Sequence, residues 1–295
     1  MTKYLIFRTD RIGDFLISLI LINSIKRQDI SSHITVVASE TNYEFIKSFK
    51  VIDDVILFKN NIFDKLNLLF LLKKNNFNYV IAHDGKKRSK FISFFLNSKY
   101  KYISKNHNFS SYIEEIKFIL KKFKFNFIEN DLDTLSNRDY SSFIVPETPY
   151  LLIHFDEKWF FDLYIKNYIN IEPTLDQLHK FLISLCKKTN KKIVVTTGIN
   201  TPALINKFFN ENTNNKIKIL KNLNFQNLEA VIIKSSLIIS CHGAVSHIAA
   251  AKKIEQIDII DKSYNYSKWT KHFRNYKSLE RKKFNILTDD IINLV

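Results

Sequence analysis

Two short segments carry residue types at spacings that suit group transfer from a phosphorylated substrate. The first is Arg8-Thr9-Asp10-Arg11-Ile12-Gly13-Asp14, where an apolar run gives way to a helix whose inner face is Phe15, Leu16, Leu19 and Ile20. Asp14 falls in the first helical turn, where the helix dipole stabilises a carboxylate in its ionised, proton-accepting form. An aspartate at a helix start reads equally as a cap. The second segment is Ser240-Cys241-His242-Gly243-Ala244-Val245-Ser246-His247, a turn of small residues from strand to helix. Such a turn leaves main-chain N–H groups pointing outward at a helix N-terminus, which is a natural phosphate site. His242 and His247 would add donors to those phosphates, although His247 also fits a buried histidine under Ala249 and Ala250.

Three further positions join these segments. Lys158, followed by Trp159, stands just past an apolar run, where an ammonium would neutralise a leaving diphosphate or be one of many surface lysines. Glu229 opens a helix, where its carboxylate would hold ribose hydroxyls or serve as a capping charge. Lys86, Lys87, Arg88 and Lys90 follow Gly85 and suit an anionic ligand, or form a solvated basic helix start. No His or carboxylate set recurs at metal-ligand spacing, so no metal is expected; no cofactor is expected either, a phosphorylated donor being a substrate.

The elements that must position these residues are legible from apolar runs. Strands are expected at 4–8, 33–38, 53–58, 78–83 and 100–104, with helices at 14–27, 41–49, 62–74, 87–96 and 111–124 between and after them. A second series follows with strands 150–155, 192–197, 216–220, 237–241 and 256–260. Its helices are expected at 174–188, 202–211, 226–234 and 245–252, with Thr174 as one N-cap and Thr288 capping a short last helix to Val295. Uninterrupted β-branched strands alternating with helices predict parallel sheets covered on both faces. The polar stretch from Asp131 to Pro149 holds Pro146 and Pro149, so the chain divides there into domains 1–145 and 146–295, the last helix packing back.

Glycine sharpens this picture. Only four occur, Gly13, Gly85, Gly198 and Gly243, where average usage would give roughly twenty. Each follows a strand-like run, and open parallel sheets bind ligands beyond the carboxyl ends of their strands. Thr197 and Gly198 therefore join the ligand edge of the second half, as Arg11 and Gly13 do that of the first.

Composition excludes several classes. An apolar content of 45% and aromatic content of 14% rule out general disorder. The formal charge of +16 reflects either drift toward lysine in an AT-rich coding sequence or attraction to an anionic partner. The basic residues are spread without a nucleic-acid-binding motif, so no specific nucleic acid is expected. Cys186 and Cys241 are too few for a disulfide framework and suit a reducing cytosol. The N-terminus shows no signal segment, and the apolar stretch from Phe15 to Ile22 is too short to span a bilayer, so any membrane contact is expected to be peripheral.

Taken together in order, these places resemble family 9 glycosyltransferases, the heptosyltransferases of the lipopolysaccharide inner core. Arg8 to Lys26 is similar to that family's opening strand, Gly-Asp turn and apolar helix, with the general-base aspartate falling on Asp14. Lys158-Trp159 resembles its segment contacting donor phosphates, and Glu229 its ribose-binding glutamate. His242 to Ala251 is similar to the Asp-Thr-Gly-x-x-His-Leu-x-Ala-Ala loop, with His242 near the threonine, Cys241 near the aspartate and one residue inserted before His247.

The resemblance implies a GT-B architecture, two Rossmann-like doubly wound domains facing a cleft. It also implies inverting, metal-independent transfer of a heptose or related sugar from a nucleotide diphosphate donor to a lipopolysaccharide or surface-glycan acceptor. The resemblance implies Asp14 as base and Lys158, Glu229, His242, Gly243, Ala244, Val245 and His247 on the donor; from their places at the strand ends and in the basic cluster, Thr197 and Gly198 are expected beside the donor, and Arg11, Gly13, Lys86 and Arg88 on an anionic acceptor. A cytoplasmic location with contact at the inner face of the inner membrane would follow. The altered donor loop keeps open a non-catalytic nucleotide-sugar-binding or assembly protein of the same fold.

Overall fold

Among the described residues, five strands and five α-helices build the first half of the chain around a parallel sheet. The computed structural model describes residues 1–59, 61–105, 109–136, 138–160 and 167–295. In chain order the elements are β1 (Lys3–Arg8), α1 (Ile12–Gln28), β2 (His33–Ala38), α2 (Tyr43–Lys47), β3 (Asp54–Leu57), α3 (Ile62–Lys73), β4 (Tyr79–Ala82), α4 (Lys87–Phe95), β5 (Tyr100–Ile103) and α5 (Tyr112–Lys122). The strands pair in the order β3-β2-β1-β4-β5, all parallel. Tyr4 to Phe7 of the central strand are fully buried, as a strand covered on both faces requires. Helix α1 is buried around almost its whole circumference by Phe15, Ile17, Leu19, Leu21, Ile22 and Ile25, which fixes Asp14 rigidly at its exposed end.

The second half repeats the scheme: β6 (Tyr150–Phe155), α6 (Leu175–Thr189), β7 (Lys192–Thr197), α7 (Ala203–Glu211), β8 (Ile217–Leu220), α8 (Phe225–Ile233), β9 (Leu237–Cys241), α9 (Ala244–Ala251) and β10 (Glu255–Ile260). A short α10 (Ser267–Thr270), β11 (Tyr276–Glu280) and α11 (Phe284–Leu294) complete it. The sheet runs β11-β10-β9-β6-β7-β8, again parallel throughout. Its core packs Leu151, Ile153 and Phe155 of β6 with Leu178, Leu182 and Leu185 of α6 and with Ile239 of β9. Thr174 caps α6 in a reciprocal box, its hydroxyl accepting from the Gln177 N–H at 3.2 Å while the Gln177 side chain accepts from the Thr174 N–H at 2.8 Å.

By packing, Met1–Arg138 with Ser267–His272 form one compact unit, and Asp139–Tyr266 with Phe273–Val295 the other. Two expectations at the C-terminus need correction. Thr288 does not cap a helix: it lies inside α11, donating to the Asn285 carbonyl at 2.9 Å. The helix starts earlier because Phe284, Leu287 and Ile291, at helical spacing, bury one face against the core. Strand β11 was not expected at all, since Tyr-Lys-Ser-Leu-Glu at a sheet edge carries little apolar signal. No helix among the described residues is long and apolar enough to cross a membrane.

Candidate functional site

In the second unit, strand β6 ends at Phe155 and the chain turns through Asp156, Glu157 and Lys158. The Asp156 carboxylate organises this turn, accepting from the Lys158 N–H at 3.1 Å and from the Lys158 ammonium at 2.7 Å. Two anchors fix the turn from below. The buried Trp159 indole donates to the His154 carbonyl at 2.9 Å, and the buried Arg281 guanidinium donates to the Lys158 carbonyl at 2.8 Å. The same Arg281 reaches the Cys241 sulfur at 3.5 Å, tying the ends of β6, β9 and β11 together. Burial works against the Lys158 ammonium, but Asp156, with smaller help from Cys241 and Glu157, offsets it and raises the pKa above an ordinary lysine's. Lys158 is therefore a permanent cation.

That cation sits at the start of α9. A Cβ built on Gly243 would stand 2.7 Å from the Lys158 Nζ, far inside contact distance. The Gly243 backbone is extended, a conformation open to any residue. What position 243 requires is therefore room for the lysine. The Gly243 N–H donates to the Ser246 hydroxyl at 3.2 Å, while the N–H groups of Ala244 and Val245, in the first turn, have no intrahelical carbonyl to meet. A buried-stem ammonium and the positive end of a helix dipole converge on one spot, which suits a polyanion.

The flank of this spot is set by Asp258, completely buried in β10. It accepts from the His242 Nδ1 at 2.6 Å and the Ser246 hydroxyl at 2.5 Å. With Nδ1 committed to Asp258, Nε2 is the nitrogen of His242 left to meet a ligand. The ring packs edge-on against His247 and Tyr266, and His247, itself buried, packs edge-on against Phe273. Thr197 is buried with its hydroxyl 2.9 Å from that of Thr201, and a Cβ on Gly198 would meet Glu157 at 2.8 Å. Glu229 is fully buried in α8, where the Tyr140 hydroxyl donates to it. The structure thus brings Lys158, Gly243, Ala244, Val245 and His242 together and turns the Glu229 carboxylate toward Tyr140.

In the first unit, Asp14 is half-exposed in the first turn of α1, and its carboxylate has no hydrogen-bond partner among the described residues. Beneath it lies Arg8, almost completely buried, whose Nε donates to the Asp14 carbonyl at 2.8 Å and whose Nη1 donates to Asp10 at 2.9 Å and the His83 carbonyl at 3.1 Å. Three carboxylates crowd this arginine. Burial, and the negative charges of Asp14 and Asp84, push the Asp10 carboxyl up to about 6 against the pull of Arg8. Arg11 is exposed at the helix cap and Gly13 is buried behind it.

Asp84 extends the cluster, accepting from the Thr9 hydroxyl and the Ser89 hydroxyl at 2.6 Å each and from the Lys86 N–H at 3.1 Å. Gly85 makes this turn possible with a φ of 60°, in the left-handed region that favours glycine. Arg88 donates to the Thr9 carbonyl at 2.6 Å. Thr9, Lys65, Lys86, Lys87, Arg88 and Phe91 help to line a cavity of about 800 Å³. Two of the expected acceptor residues therefore share a basic cavity. Residues that sequence reasoning missed are Asp156, Asp258, Ser246 and Arg281 in the second unit and Arg8, Asp10 and Asp84 in the first. Among the described residues, no group of three or more His, Cys, Asp or Glu side chains is placed to hold a metal ion.

No protein-family model and no curated protein matches the sequence. Solved structures do match. The Escherichia coli heptosyltransferase WaaC with ADP superposes with a TM-score of 0.70 at 12% identity, covering 100% of both chains. The E. coli ADP-heptose lipopolysaccharide heptosyltransferase II gives 0.65 at 10% identity over 99% of this chain and 97% of that one. A family 9 glycosyltransferase from Veillonella parvula gives 0.65 at 12% identity over 95% and 86%. The chain has the two-domain α/β GT-B fold, in a form like that of these heptosyltransferases.

Two outcomes test the site's physics. Gly243→Ala should keep its fold, since the atom a Cβ would meet is the far end of the Lys158 side chain, which can shift while staying paired with Asp156, with a stability change within about 1 kcal/mol. It should nonetheless lose most of the melting-temperature gain that inorganic pyrophosphate gives the wild type; an undiminished gain refutes the cradle. The Asp10 carboxyl, followed by carbon NMR on aspartate-labelled protein, should titrate near pH 6 and shift downward in Asp14→Asn, which removes a neighbouring negative charge. Because its folded pKa lies above the ordinary 3.8, this group's contribution to stability is fully present below that value and is lost as pH rises through about 6. A midpoint near 3.8 in the wild type contradicts the assignment.

Proposed function

We propose that this chain is an inverting glycosyltransferase that moves a sugar from a nucleoside diphosphate donor to an acceptor hydroxyl. The observation that carries the reading is the Lys158 ammonium against Gly243 at the head of α9, a cationic spot at a helix N-terminus in a fold shared with solved nucleotide-sugar enzymes. WaaC has been solved with ADP and with ADP-2-deoxy-2-fluoro heptose, which supports a nucleotide-sugar donor here.

In this reading the donor's phosphates lie on the N–H groups of Ala244 and Val245 and on Lys158, with His242 Nε2 beside them. Negative charge grows on the diphosphate as the bond to the anomeric carbon breaks, so these groups hold the transition state more tightly than the ground state. Removing one such preorganised donor typically costs about 10² to 10³ in rate. Electrostatics thus stands where a metal would otherwise act. Asp14 takes the proton of the attacking hydroxyl. The reading requires Asp14 to reach that hydroxyl at the anomeric carbon, and Asp14 suits the role because it is half-exposed while Asp10 and Asp84 are largely buried and engaged.

Thr197 and Gly198 border the donor side, and Glu229 would bind ribose by exchanging Tyr140 for the sugar hydroxyls. His247 acts through the aromatic packing of His242. The acceptor, an anionic glycolipid or glycan, meets Arg11, Gly13, Lys86 and Arg88. The sugar is a heptose or a related one.

The test screens nucleotide sugars for acceptor-dependent release of the nucleoside diphosphate. Asp14→Asn should lower turnover by about 10² to 10⁴ with the donor still bound. Lys158→Ala should weaken donor affinity and turnover together. Turnover near wild type in Asp14→Asn removes the base from the mechanism, and unchanged donor affinity in Lys158→Ala removes the phosphate assignment.

A further inference from the structure

Helix α3 is apolar on two faces. Leu68 and Leu72 are buried in the core of the first unit, but Phe63, Leu66 and Phe70, at i, i+3 and i+7, form a second stripe facing solvent. Phe63 is 80% exposed and Phe70 is 65% exposed. Helix α4 shows the same division. Ser89, Ile92 and Ser93 face inward, whereas Phe91, Phe94 and Phe95 face outward, Phe94 being 74% exposed.

The two stripes form one surface. Helix α3 packs against α4, the Lys73 ammonium lies 6.0 Å from the Phe95 ring, and Lys65, Leu66 and Phe91 line the same cavity. Phe95 stacks edge-on with Phe91 at 5.0 Å and Phe94 at 5.3 Å. Five phenylalanines together expose roughly 600 Å², taking about 200 Å² for each side chain, at the upper end of the roughly 300–600 Å² of the largest apolar patch on a typical monomer, a size that is often functional. The surrounding charges on these helices are mostly positive: Lys65, Lys73 and Lys74 on and beside α3, and Lys86, Lys87 and Lys90 at α4. Asp64, bonded to Asn61, is the acidic exception on α3.

This combination selects among occupants. A second copy docked through a two-fold axis would set each lysine cluster against itself, at a Coulombic cost that grows on desolvation. An anionic lipid surface complements both features at once, because aromatic rings settle at the acyl–headgroup boundary while lysines meet the phosphates.

We propose that the α3–α4 face docks the protein on an anionic bilayer, its phenylalanines entering the headgroup boundary. The cavity lined by Lys65, Leu66, Lys86, Lys87, Arg88 and Phe91 borders this face, so an acceptor's anchored head group would reach it from the membrane. Delivery of an acceptor to the cavity rests on the transferase reading; the docking itself does not.

Flotation of the full chain with lipid vesicles tests the proposal. Wild type should float with phosphatidylcholine vesicles containing about one third phosphatidylglycerol and not with phosphatidylcholine alone. The exposed-residue variant Phe63→Ser/Phe70→Ser/Phe94→Ser should bind more than about tenfold more weakly. Lys73→Gln/Lys74→Gln/Lys90→Gln should lose on the order of a hundredfold, at about 1 kcal/mol per lysine. Phe209→Ser, an exposed ring of α7, and Asp14→Asn should both float as wild type does. Absence of flotation, or undiminished flotation of the phenylalanine variant with its melting temperature intact, overturns the proposal. A doubled mass in solution that the phenylalanine variant abolishes assigns the face to a second copy, and binding of a single-stranded oligonucleotide without vesicle binding assigns it to nucleic acid. Flotation uses neither donor nor acceptor, so failure of the transferase assay leaves this result standing, and the reverse also holds.

Discussion

The ion pair between Asp156 and Lys158, set against the glycine that opens α9, is the constraint on which the second unit's site depends. A lysine with so little exposure is unfavourable unless paired, and pairing alone would leave it a structural salt bridge. The position of the pair makes the difference. The ammonium occupies the space a Cβ at 243 would take, so it adds its full charge to the helix dipole at a single point. Like charges placed together on purpose cost stability, and the structure offsets that cost locally with Asp156 on the lysine, with Ser246 on the Gly243 N–H and with Asp258 beneath His242 and Ser246. Trp159 and Arg281 contribute rigidity by anchoring the turn through its backbone.

The first unit solves the opposite problem. Here carboxylates crowd one buried guanidinium, and their surroundings separate them. Asp84 is engaged by hydroxyls and an N–H, Asp10 is buried beside Arg8 and pushed toward neutrality, and Asp14 stands at the solvent edge on the helix dipole. Carboxylates so differentiated can serve different roles, and the one that is accessible is the one placed to accept a proton. Arg8 underlies this order, since it touches the Asp14 carbonyl, the Asp10 carboxylate and the His83 carbonyl.

Much of this was legible in the chain. The parallel sheets followed from uninterrupted apolar runs such as Leu237-Ile238-Ile239, and Gly243 and Gly85 were marked by the scarcity of glycine elsewhere. Lys158 and Gly243 were each visible, but their contact was not, because it joins residues far apart in sequence through a fold that only the sheet order supplies. Asp258 carries a signal in the sequence: a carboxylate within Gln-Ile-Asp-Ile-Ile is unlike its neighbours and implies buried partners. Arg281 had none, because β11 before it is polar and half-exposed. Thr288 misled because a threonine near a chain end fits a cap pattern, whereas the buried face formed by Phe284 and Leu287 decides where the helix begins.

The most direct measurement is a crystal structure of the protein with a nucleoside diphosphate bound. The account predicts phosphate oxygens within hydrogen-bonding distance of the Ala244 and Val245 N–H groups and of the Lys158 ammonium. A diphosphate bound elsewhere, out of reach of the Lys158 ammonium and of those N–H groups, would contradict it.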